Sequence, residues 1–105
     1  MTTVIDLDRE TVAAGLADGS VVLVDVREPH EFAAGHIPGS VSLPLSSFDP
    51  GALAAYAGRR IVFSCAAGVR SQQALMLSQA AGLDLSEHYR GGFKDWILSG
   101  GPVEV

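Results

Sequence analysis

Val21, Val22, Leu23 and Val24 form an unbroken apolar run that is mostly β-branched, and Asp25 and Val26 extend it. A strand with one buried face alternates apolar and polar residues; a continuous apolar run is buried on both. Such a strand belongs inside a parallel sheet covered by helices on each side. Ile61, Val62 and Phe63, followed by Ser64, read as a second strand of the same kind. Residues 2–5 are β-prone and short, as expected of a first strand at a sheet edge. Residues 41–43 make a third strand, which Pro44 shortens or places at an edge, and residues 86–89 are a weaker candidate. Helical segments fall between these runs. Asp6 or Asp8 can cap a helix over 9–17, with Val12, Ala13 and Leu16 on one face, and Pro29 suits the first turn of a helix over 28–34. Short helical turns are expected at 45–48 and 51–56, and fuller helices over 71–81 and 91–98. Strands alternating with helices at short intervals imply βαβ units and an α/β fold with a mostly parallel sheet.

At 105 residues and 48% hydrophobic composition, the chain suits one domain, 1–105, with one sheet at its centre. No apolar run approaches the roughly 18–20 residues of a membrane span. The N-terminus has neither a basic segment nor a long apolar one, so no signal peptide is expected and a cytoplasmic location is the default. Seven basic residues against twelve acidic ones give a net charge of −5. Nucleic acid is therefore an unsuitable partner, and any anion site must be local rather than a general surface property. The single cysteine excludes an internal disulfide and a multi-cysteine metal site.

That cysteine stands where the chemistry is most concentrated. Cys65, Ala66, Ala67, Gly68, Val69 and Arg70 make a tight loop between the strand at 61–64 and the helix that begins at Ser71. A strand turning sharply into a helix leaves backbone N–H groups unpaired and pointing into the loop, with the positive end of the helix dipole behind them. A thiol at the rim of such a cradle is held near donors that favour its ionised form. In open α/β sheets, ligands bind beyond the carboxyl ends of the strands. Asp25 and Arg27 end the strand at 21–26, and they share the Cys65 rim if the two strands are neighbours. Each residue also has a plainer reading: Cys65 as a small buried hydrophobe, Arg70 as a surface ion-pair partner, and Gly68 as a loop former. Phe93 and Trp96 read as packing residues of the last helix, and Gly91-Gly92 lacks the lysine and hydroxyl residue of a phosphate loop. His30, His36 and His88 are scattered, with no metal-ligand spacing and no orienting partner that would make a cysteine–histidine pair.

Four segments, taken together, resemble the rhodanese-like sulfurtransferase family in order and spacing. They are Val24-Asp25-Val26-Arg27-Glu28, Gly35-His36-Ile37-Pro38-Gly39-Ser40, the loop from Cys65 to Ser71, and Gly91-Gly92-Phe93-Lys94-Asp95-Trp96. The resemblance implies a three-layer sandwich with a five-stranded, mostly parallel sheet and helices on both faces. It implies a transferase of the small single-domain kind, with no cofactor and no metal. Cys65 would attack the outer sulfur of thiosulfate, a mercaptopyruvate-like compound or a persulfide. It would then carry that sulfur as its own persulfide to a thiol or cyanide acceptor, with a sulfur-accepting protein as a further candidate partner. Ala66, Ala67, Gly68, Val69, Arg70 and Ser71 would form the binding loop. Asp25 and Arg27 would support it, as an ion pair tying the strand end to nearby loops or as a direct substrate contact.

Two alternatives stand beside that reading. One is a non-catalytic or partner-dependent module that receives and passes sulfur only within a complex. The other is a phosphatase-type cysteine enzyme. Protein tyrosine phosphatases and their arsenate-reducing relatives carry a C-x5-R loop, whereas Cys65 and Arg70 enclose Ala66, Ala67, Gly68 and Val69 in a C-x4-R spacing. The shorter ring suits a single sulfur better than a tetrahedral oxyanion. Several members of the resembled family place a charged or polar residue directly after the cysteine. Ala66 departs from that pattern and leaves Arg70 the one charge in the loop.

Overall fold

The structure is a computed structural model, and it describes residues 2–105. The strands are β1 (Ile5–Leu7), β2 (Val21–Asp25), β3 (Val41–Ser42), β4 (Arg60–Ser64) and β5 (Glu87–Tyr89). The α-helices are α1 (Arg9–Asp18), α2 (Pro29–Ala34), α3 (Arg70–Ala80) and α4 (Gly92–Leu98). Two 3-10 segments, Leu45–Ser47 and Pro50–Tyr56, cover the connection from β3 to β4. All pairings between these strands are parallel, and the sheet order is β1-β5-β4-β2-β3.

The central strands alternate their apolar side chains between two layers. Val22 and Val24 of β2 and Ile61 and Phe63 of β4 pack with Ala74 and Leu75 of α3 and with Leu53. Val21, Leu23 and Val62 face the other way, against Val12 of α1 and Trp96 of α4. Every residue of β2 is buried, which is why its sequence shows no alternation. The result is three layers: α1 and α4, then the sheet, then α3 with the 3-10 segments.

The strand expected at 2–5 instead runs from Ile5 to Leu7. Its partners are Glu87, His88 and Tyr89 of β5, and this pairing rather than burial defines it, since Ile5 and Asp6 are both exposed. Asp8 caps α1 by accepting from the Thr11 N–H at 2.9 Å. The helix expected over 71–81 begins and ends one residue earlier. β2 and β4 are direct neighbours, with Asp25 opposite Ser64, so the ends that carry Arg27 and Cys65 emerge side by side. No helix among the described residues is long and apolar enough to cross a membrane.

Candidate active site

Residues 65–69 turn the chain from β4 into α3, and Cys65 lies at the floor of the turn, only 1% exposed. The Gly68 N–H donates to its Sγ at 3.1 Å, and the Ser71 hydroxyl lies 3.6 Å from the same sulfur. Burial pushes the Cys65 thiol up, but the Ser71 hydroxyl and the N–H groups of Ser71, Ala67 and Gly68 outweigh it. The net effect is a thiol below its ordinary value, in a setting that favours the thiolate.

Two glycines let the loop adopt this shape. Gly68 has φ +83°, and a Cβ there would run into the Arg90 carbonyl. Gly92 has φ +64°, and a Cβ there would stand 2.5 Å from the Cys65 carbonyl oxygen and 2.7 Å from that of Ala66. That close approach lets the Phe93 and Lys94 N–H groups donate to these two carbonyls at 2.8 and 3.0 Å. With its carbonyls drawn towards α4, the loop keeps its N–H groups for the sulfur.

Arg70 points elsewhere. Its two terminal nitrogens donate to the two carboxylate oxygens of Glu31 on α2, at 2.6 and 3.0 Å. The Arg70 contact pulls the Glu31 carboxyl down to about 2, against the opposing pull of burial. The one loop charge is thus already half of an ion pair. Ala66 is partly buried, while Val69 is 66% exposed and forms the lip of the loop.

Asp25 and Arg27 are both buried and engage each other through Arg27 Nε and Nη2, at 2.7–3.1 Å. Arg27 Nη2 also donates to the Gly35 carbonyl at 2.8 Å, and its guanidinium lies 4.2 Å from the centre of the Phe93 ring. The pair fastens the end of β2 to the turn after α2 and to α4, whose first N–H groups hold the Cys65 loop.

His36 is a packing residue, stacked on Phe32 with ring centres 3.8 Å apart. His88 overturns the expectation that no histidine has an orienting partner near the cysteine. It is fully buried on β5, with Nδ1 2.8 Å from Ser71 Oγ and Nε2 2.6 Å from Asp6 Oδ1. Cys65, Ser71, His88 and Asp6 therefore form one connected chain. Its links join residues 6, 17 and 82 positions apart in the sequence, and only the sheet order brings them together. No sequence spacing would have found the set.

The comparisons with known proteins fall in one group. The family model described as a rhodanese-like domain matches residues 8–99. A sulfurtransferase of Allochromatium vinosum is 34% identical over 99 residues, covering 93% of this chain and 92% of that protein. The thiosulfate:glutathione sulfurtransferase of Saccharomyces cerevisiae is 34% identical over 100 residues, covering 83% and 72%. An uncharacterised Synechocystis protein is 41% identical over 84 residues, but the chain spans only 47% of its length. Among solved structures, the human single-domain sulfurtransferase TSTD1 superposes with a TM-score of 0.71 at 30% identity, covering 89% of this chain and 95% of that one.

Proposed function

We propose, from the premise that this chain belongs to the rhodanese-like domain family, that it is a sulfurtransferase in which Cys65 carries a sulfane sulfur. The Cys65 thiolate attacks the outer sulfur of a donor; the new S–S bond forms as the donor's own bond to that sulfur breaks, releasing sulfite or a thiolate. A thiolate or cyanide acceptor then attacks the outer sulfur of the Cys65 persulfide and regenerates the thiolate. The observation that carries this reading is the ring of donors around Sγ, which offers hydrogen bonds to an anion of sulfur in the way an oxyanion hole does to oxygen. Residues 66–71 act as the cradle, and Asp25 with Arg27 supports it from outside.

The depth of Cys65 and the occupation of Arg70 favour a slim terminal sulfur over a tetrahedral dianion. A persulfide is accordingly the preferred donor over thiosulfate, and a phosphate ester is disfavoured. The same two features support the second reading, a relay that is loaded and unloaded by a protein partner.

Intact mass after brief exposure to a small-molecule persulfide donor tests the proposal. The expected result is an adduct of about 32 Da, one sulfur atom, which cyanide or dithiothreitol removes and Cys65→Ala never acquires. Absence of the adduct with every small donor, in a folded protein with a free thiol, leaves the partner-dependent relay in its place. Turnover that survives in Cys65→Ala ends both readings.

A further inference from the structure

His88 is a buried ionisable group that the reaction as described does not use. Asp6, as a carboxylate, only accepts hydrogen bonds, so His88 Nε2 carries a proton and donates it across the 2.6 Å contact. That leaves Nδ1, 2.8 Å from Ser71 Oγ, with two possible roles. If the ring is neutral, Nδ1 accepts from the Ser71 hydroxyl, and Ser71 Oγ is free to accept from the Cys65 S–H. If the ring is an imidazolium, Nδ1 donates to Ser71 Oγ, and the Ser71 hydroxyl donates to a Cys65 thiolate. The same heavy-atom positions serve both states, and they differ by the transfer of one proton.

We propose that Ser71 relays the Cys65 proton to His88, so that the resting site is a serine-bridged thiolate–imidazolium pair oriented by Asp6. In this transfer the Sγ–H bond breaks as a new O–H bond forms on Ser71. The original Ser71 O–H bond breaks as an N–H bond forms at His88 Nδ1. Net charge is unchanged, and no outside base is consumed. The proposal rests on Cys65 being the reactive sulfur of the proposed transfer, and it gives that sulfur a partner for its charge. Arg70 acts on the sulfur only at a distance, with its hydrogen bonds spent on Glu31, so the counter-charge joined to the sulfur anion by hydrogen bonds is His88. A persulfide carries the same single negative charge as a thiolate, so the imidazolium remains its counter-ion through both halves of the reaction. His88 is thus a positioning residue that acts through Ser71.

The groups that bear on His88 are few. Asp6 reaches it from β1, Ser71 from α3 with Cys65 behind, and its backbone neighbour on β4 is the apolar Phe63. Arg90 meets the other oxygen of Asp6 at 3.6 Å. Asp6 is half-exposed, which gives the buried chain one opening to water.

The decisive measurements are the pH profile of Cys65 alkylation by iodoacetamide and the ring-nitrogen chemical shifts of His88. In the wild type, His88 is expected to keep the imidazolium signature across the midpoint of Cys65 alkylation and to lose it only at higher pH. Cys65→Ala should lower the midpoint at which that signature is lost. His88→Gln should move the alkylation profile up by about one pH unit, roughly tenfold in rate near neutrality. Asp6→Asn, at a half-exposed position, should move it in the same direction by less. A His88 ring already neutral at the midpoint of Cys65 alkylation overturns the proposal, as does a wild-type alkylation profile in folded Asp6→Asn and His88→Gln. If His88→Gln does not fold, the wild-type shifts and Asp6→Asn decide. Sulfur loading, followed by mass on the same samples, separates the two readings. Loading with an unmoved profile leaves sulfur transfer standing without the relay; a moved profile without loading does the reverse.

Discussion

Gly68 carries more of the site than its size suggests. Its N–H is a donor to Cys65 Sγ at 3.1 Å, and it holds φ +83° with the Arg90 carbonyl oxygen in the space a Cβ would need. Gly68→Ala meets two costs: the left-handed backbone, about 1–2 kcal/mol for an L-residue, and a Cβ forced onto the carbonyl oxygen of Arg90, the residue after β5. The loop must shift, and the Gly68 N–H shifts with it. Loss of one charge-assisted hydrogen bond to the thiolate is worth about 1.5–3 kcal/mol, or one to two units in the alkylation midpoint. Urea unfolding of Gly68→Ala should therefore show lower stability, and its alkylation midpoint should rise. A destabilised variant with an unmoved midpoint would show that Ala67 and Ser71 hold the thiolate without Gly68.

At the scale of elements, the loop is fastened from α2 as well as from within. Glu31 sits in the first turn of α2, accepts from the Glu28 N–H at 2.9 Å in a capping box, and clasps Arg70 at the start of α3. Its carboxyl is lowered from about 4.5 to about 2 by that contact, so the pair's stabilisation is present above the unfolded value and is lost as pH falls through the folded one. For a partly exposed pair, screening reduces this to on the order of 1–3 kcal/mol. Wild-type stability should fall between about pH 4.5 and pH 2 by that much more than the stability of Glu31→Gln, measured by urea unfolding at each pH. Parallel curves for the two proteins would remove Glu31 from the account. The same contact marks the limit of what the sequence discloses. The β2 run, the Cys65 turn, the cap of α1 and the proline that opens α2 are local patterns and are legible from spacing. The Glu31–Arg70 and Asp6–His88 contacts span 39 and 82 positions and depend on which elements the fold sets side by side. Near the N-terminus β-prone residues are the only signal, and they point to residues 2–5. The actual span of β1 is set by pairing with β5, an edge strand held by hydrogen bonds rather than by a buried face.

The molecule as a whole carries a charge of −5, and its field acts on any donor before the loop does. The cleft beside Ala67, about 500 Å³, repeats the imbalance: Asp6, Asp8, Glu10 and Asp95 line it against Arg9 and Arg90. With Arg70 paired to Glu31, little positive charge remains to draw in a dianion. Thiosulfate should therefore approach against a repulsion that salt screens, since the Debye length contracts from about 30 Å at 0.01 M to about 8 Å at 0.15 M. Its kcat/KM should rise over that range, by roughly twofold for a field of this size at encounter distance. An uncharged trisulfide donor feels no such field, and its kcat/KM should stay flat. The contrast between donors is the test, because general effects of salt on folding or acceptor binding move both together. If thiosulfate turnover instead falls with salt, a local positive charge governs approach, and the buried His88 would then be felt at the mouth of the site despite the acidic surface around it.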